Sequence, residues 1–118
     1  MIKNAPRKSK FRNIKTIIDG TEFASKLEAG RYAQLKLMER AGLINDLETQ
    51  RSFDLRVNGI VVTRYIADFV YVPAGSLECV VEDAKGVLTP LYRLKKKMMR
   101  AEHGIEIREF KASARKSR

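Results

Sequence analysis

The residues with chemistry to offer gather around one short motif. Asp83-Ala84-Lys85 closes an apolar run, and the alternation of a strand puts Asp83 and Lys85 on the side that carries Leu77, Cys79 and Val81. An apolar face turns ionic at its tip. Asp68 is a second anomaly. It interrupts the set Ile60, Val62, Ile66 and Val70 in a stretch that is apolar on both parities, where a carboxylate needs a partner. Glu28 is a third, because Tyr32, Leu35 and Met38 follow it at i+4, i+7 and i+10 and so place it on the helix stripe that faces a core.

Three carboxylates and a lysine at one end of a sheet are what phosphodiester hydrolysis asks for. Oxygen ligands suit Mg²⁺ or Mn²⁺, which polarises the phosphate, neutralises its charge and helps to make hydroxide from water. Lys85 would hold or deprotonate the attacking water, or offset charge in the transition state, and the sequence does not choose among these roles. Glu82 is an alternative ligand to Asp83 if a bulge shifts the parity, although the spacing to Lys85 favours Asp83. Gln50, just before the first long strand, could orient water or phosphate, or be an outward polar residue.

Each residue alone has a plainer reading. Ser25 and Glu28 match a capping box, worth about 1 kcal/mol. Asp68 could pair with Arg64 or Lys85, and Asp-x-Lys is a weak motif by itself. The joint reading rests on convergence, since three separate segments carry misplaced charge that one fold would bring together. A register across the turn at Pro73 to Ser76 places residue 68 opposite roughly residue 81, with Asp83 diagonal to it.

The elements that must position these groups are readable in order. Asp19-Gly20 between Thr16–Ile18 and Thr21–Phe23 predicts a small hairpin. The Ser25 cap and the Gly42 stop predict a helix over about 26 to 41. Phe53, Leu55 and Val57 alternate with polar residues as a half-exposed strand does, and Asn58-Gly59 turns the chain back. Residues 60 to 72 read as a central strand covered on both faces, and Leu77 to Lys85 as its antiparallel neighbour. Thr89-Pro90 opens a second helix whose core residues are Leu91, Leu94, Met98 and Ala101, ending at Gly104 after His103, and Ile105 to Phe110 forms a last strand. The fold class is α/β of the α+β kind, a mixed sheet of about four to five strands with two flanking helices.

At 118 residues the chain suits one domain, expected over 13–110, with a basic arm over 1–12 and a basic tail over 111–118. The formal net charge is +10 and the pI near 10.0, and the arm includes Arg7, Lys8 and Lys10. Such an excess favours polyanions, with DNA phosphates the natural target, although RNA or an anionic membrane would attract it too. Tyr92, Lys95 and Lys96 on the second helix could guide phosphates toward Lys85, with Lys95 preferred, against the alternative of a solvated helix face. No apolar run approaches the roughly 20 residues of a spanning helix, and no signal-peptide core is evident, so a cytoplasmic protein is expected. Cys79, the single cysteine, reads as a buried thiol, and one His with one Cys cannot build a structural zinc site.

Glu in the first helix, Asp in a central strand and then Asp-x-Lys resembles the PD-(D/E)XK nuclease superfamily. Phe23-x-Ser25-Lys26-x-Glu28, Tyr65-Ile66-Ala67-Asp68-Phe69 and Val81-Glu82-Asp83-Ala84-Lys85-Gly86 look like small phage-encoded nucleases, some likened to Holliday junction resolvases. The superfamily's Pro before the first Asp is Ala67 here. The resemblance implies a restriction-endonuclease-like core, with Glu28, Asp68 and Asp83 as metal ligands and Lys85 as the catalytic lysine. It also implies a Mg²⁺- or Mn²⁺-dependent endonuclease acting on duplex or branched DNA, with junction resolution the most specific expectation. Cutting two strands symmetrically needs two sites, which favours a homodimer. The rival readings are a noncatalytic nucleic-acid-binding module and a nuclease subunit that a partner protein targets.

Overall fold

The structure is a computed structural model that describes residues 16–18, 21–85 and 88–111. A short hairpin, β1 (Thr16–Ile18) and β2 (Thr21–Phe23), leads into α1 (Lys26–Arg40). Ser25 caps α1, its Oγ accepting the Glu28 N–H at 3.1 Å, and Leu43 N–H closes the far end on Met38 O. The helix then hands over to a four-stranded sheet in the order β3 (Ile44–Val57), β4 (Ile60–Pro73), β5 (Val80–Ala84), β6 (Arg108–Phe110). The first three strands are antiparallel, and β6 joins β5 in parallel after the crossover through α2 (Pro90–Met98) and a π-helical turn, Met99–His103. The molecule is thus α+β, a mixed sheet with two flanking helices.

Turn chemistry follows the sequence. Asn58 and Gly59 both have positive φ, 52° and 80°, the pair of left-handed residues that a tight hairpin with right-twisted strands requires. Gly104, at φ 67°, stops the π-helical turn, and His103 just before it bonds the Asp54 carbonyl through Nε2 at 2.7 Å.

Two cores sandwich the sheet. On one face Phe23, Ala29, Tyr32 and Leu35 pack against Ile44, Phe69 and Tyr71. On the other, Tyr92, Met99 and Ile107 pack against Leu55, Tyr65, Ala67, Val70 and Val81. The β3–β4 hairpin extends beyond its third strand, since β5 pairs with β4 only at residues 69 to 71. Residues 60 to 66 are therefore not doubly covered as expected, and Ile60, Val62 and Ile66 lie more than half exposed.

Four further expectations are corrected. The third long strand begins at Val80, which leaves Leu77 fully exposed and makes Cys79 an exposed thiol rather than a buried one. The last strand is Arg108–Phe110, shorter than the stretch from Ile105. On α2 and the π-helical turn that continues it the buried residues are Tyr92 and Met99, while Leu91, Leu94 and Ala101 face outward, because the sheet covers a different side of the helix from the one its leucines mark. The β4–β5 register pairs Phe69 with Glu82, so Asp68 stands opposite residue 83 and not near residue 81. Among the described residues no helix is long and apolar enough to cross a membrane.

Candidate active site

The alternation of β4 slips at Asp68. Tyr65 and Ala67 belong to the α2 face, yet Phe69, two residues on, belongs to the α1 face with Tyr71. Strand β3 slips at the matching place: Phe53 and Leu55 side with α2, Leu47 sides with α1, and Gln50 between them has φ 55°, a left-handed conformation uncommon outside glycine. The slip frees the Asp68 side chain from either core and aims it along the sheet.

What replaces the ladder is a reciprocal pair of side-chain bonds. Asp68 N–H donates to Asp83 Oδ1 at 3.0 Å, and Ala84 N–H donates to Asp68 Oδ2 at 2.9 Å. Each aspartate takes the other strand's backbone donor, which fixes both carboxylates side by side. The second oxygen of Asp83, itself 1% exposed, accepts the Tyr65 hydroxyl and lies 3.5 Å from Lys85 Nζ. Gln50 Nε2 donates to Glu28 Oε2 at 3.0 Å and reaches Asp68 Oδ1 at 3.5 Å, so α1, β3 and β4 meet through one amide.

Lys85 is held from three directions. Its N–H bonds Phe110 O at 3.0 Å, Asp83 attracts its ammonium, and the Tyr92 ring lies 4.3 Å beneath Nζ. A cleft of about 270 Å³ opens beside it between β4 and α2, with Lys95, Arg64, Ile66 and Leu91 on its walls.

The acids repel one another. Burial pushes the Asp68 carboxyl up to about 7, with the Asp83 charge adding to the rise and Glu28 contributing less. Glu28 is also raised, first by burial and next by Asp83. The Tyr65 hydroxyl is raised well above its usual range by burial and the Asp83 charge, so it stays a donor. A cation would relieve this crowding. The donor chemistry fits a hard divalent ion, since Glu28, Asp68 and Asp83 offer oxygen alone. As placed, Gln50 stands between Glu28 and Asp68, and among the described residues no three acidic, His or Cys groups are already drawn into a metal cage.

The residues singled out from sequence fare differently. Glu28, Asp68, Asp83, Lys85 and Gln50 come together, and Lys95 reaches the same cleft. Glu82 turns to the opposite face, where both its oxygens bind Arg31 and Oε1 accepts the Tyr71 hydroxyl at 2.6 Å, so it is withdrawn from any metal. Tyr92 is buried beneath Lys85 and forms part of the cleft wall, its hydroxyl on Glu109 at 2.9 Å. Lys96 Nζ sits on the same carboxylate at 2.8 Å and lines a different cleft. Arg7, Lys8 and Lys10 lie outside the described residues. Sequence reasoning missed Tyr65 as the partner of Asp83, for which shared strand parity was the only available signal, and Arg31, which nothing marked.

With the geometry in place, comparison with known families gives one match, to a protein family of unknown function, DUF1064, over residues 8–116. The chain belongs to the DUF1064 family. Comparison with curated proteins and with solved structures yields no match. In this DUF1064 protein the most unusual feature is the acidic cluster at the β4–β5 end of the sheet, with a seated lysine at its edge.

Proposed function

We propose that this DUF1064 protein is a divalent-metal-dependent DNA endonuclease of the PD-(D/E)XK kind, acting on duplex or branched DNA and working as a homodimer. Like-charge crowding carries this reading. Glu28, Asp68 and Asp83 come from three elements to one side-chain cluster, and Lys85 is the only cation paired with them among the described residues. A fold gains nothing in stability by raising a carboxyl to about 7. A site that takes up a cation recovers that cost when the cation binds.

Glu28, Asp68 and Asp83 would hold Mg²⁺ or Mn²⁺, which polarises the phosphate and supplies hydroxide from water at neutral pH. This chain's own residues do the rest. The attacking water oxygen bonds to phosphorus as its proton passes to solvent, the bond to the leaving sugar oxygen breaks, and a solvent proton ends on that oxygen. Lys85 faces the reacting phosphate and offsets its growing negative charge, and the Tyr92 ring with Asp83 keeps the ammonium from swinging into solvent. Gln50 holds Glu28 and Asp68 in register through its amide.

One observation favours a second reading, a noncatalytic nucleic-acid-binding module. Among the described residues every buried side-chain polar atom is hydrogen-bonded, as in a purely structural polar cluster. Incubation with a four-way junction and a linear duplex, in Mg²⁺ or in EDTA, separates the two. The nuclease cuts in Mg²⁺ alone, and Asp83→Ala or Lys85→Ala stops it. The binding module cuts nothing, and both variants retain DNA affinity whether or not metal is present.

A further inference from the structure

Helix α2 carries cations on two flanks. One flank, with Lys95, lines the cleft beside Lys85. The other lines a separate cleft of about 400 Å³ against the chain leading into β6, where Arg93, Lys96 and Lys97, with Arg100 on the π-helical turn that extends the same flank, recur at i, i+3, i+4 and i+7. That spacing makes a single stripe about 10 Å long at 1.5 Å of rise per residue. Two acids face it. Glu109 is committed to Lys96 and the Tyr92 hydroxyl, and Glu106, largely exposed, approaches Arg100 at 3.6 Å. Arg93 and Lys97 are exposed and have no acidic partner within 4.0 Å among the described residues. The crown between the flanks is apolar, with Leu91 and Leu94 more than half exposed.

From this arrangement we infer that α2 seats in the major groove of a DNA duplex, its far flank of Arg93, Lys97 and Arg100 gripping the strand opposite the one at Lys85. Dimensions support this. A helix with its side chains is about 10–12 Å across, and the major groove is about 12 Å wide, so cations on both flanks meet phosphates of both strands. The exposed leucines then face base edges, where thymine methyls offer apolar contact. The inference rests on the Lys85 cleft holding one strand, and it adds that the preferred ligand is double-stranded where it meets α2.

Binding measured in EDTA tests this without requiring cleavage, using the full chain with a 20-base-pair duplex and with either of its single strands. Arg93→Glu/Lys97→Glu lowers duplex affinity about tenfold or more while single-strand affinity changes little, and the slope of log affinity against log salt shrinks by about two. Arg93→Gln/Lys97→Gln gives a smaller loss in the same direction, which guards against misfolding as the cause. Equal losses for duplex and single strand, or an unchanged salt slope, overturn the inference. A wild type that cuts DNA alongside variants that bind duplex normally sinks this inference alone; a wild type that binds duplex but never cuts sinks the nuclease reading alone.

Discussion

Glu82 and Asp83 are neighbours in β5, both buried, and the strand sends them to opposite faces with opposite fates. Glu82 is 0% exposed and fully compensated, gripped by the Arg31 guanidinium and the Tyr71 hydroxyl, while Arg31 itself lies 4.5 Å over the Phe110 ring. Asp83 is 1% exposed and shares its pocket with two more acids, with one lysine at 3.5 Å for relief. The first arrangement closes the sheet onto α1. The second leaves excess negative charge behind Lys85, which costs stability and suits a site that recruits a cation.

The largest expected effect tests that contrast directly. Asp83→Asn lowers the cleavage rate about 100-fold or more, with thermal stability in EDTA held or raised because like charge is removed. Glu82→Gln has the reverse pattern, costing about 1–3 kcal/mol in urea unfolding by taking the counter-charge from the partly buried Arg31 guanidinium, which keeps only its bond to Gln34. If the two variants behave alike in both measurements, the division of labour between the faces is wrong.

A smaller effect concerns pH. Between the usual carboxylate range near 4 and the folded value of about 7, native Asp68 keeps a proton that the unfolded chain has released. Metal-free stability therefore falls as pH rises through that window, and raised Glu28 adds in the same sense. Melting temperatures in EDTA should decline from pH 5 to pH 8, and Mg²⁺ should stabilise more at pH 8 than at pH 5. A flat EDTA profile with no added stabilisation by Mg²⁺ at the higher pH would contradict the crowding of acids.

The smallest effect sharpens the role of the lysine's seat. Tyr92→Phe keeps the ring under Lys85 and loses only the bond to Glu109, so stability drops by about 0.5–1.5 kcal/mol and cleavage stays within about twofold. Tyr92→Leu removes the aromatic face, worth about 0.5–2 kcal/mol to the ammonium, and slows cutting further than Tyr92→Phe. Equal activity in the two variants would mean that Lys85 does not depend on the ring.

Much of the fold and part of the site were legible in the sequence because they depend on near neighbours. Ser25 with Glu28, Thr89 with Pro90, and Asn58 with Gly59 fix caps and a turn through backbone groups a few residues away. The i+4 and i+7 spacing placed Glu28 on the same stripe as Tyr32 and Leu35, and all three are buried. Strand parity put Asp83 and Lys85 on one side. Tertiary structure decided the rest. The matched slip of β3 at Gln50 and β4 at Asp68 arises from how two strands twist together between two cores, which no single segment encodes. Glu82 was withdrawn by Arg31, 51 residues distant in sequence, and only packing of α1 on β5 brings them together. Exposure of Leu91 and Leu94 has the same origin: periodicity marks an apolar side of a helix, but which side the sheet covers is set by the whole fold.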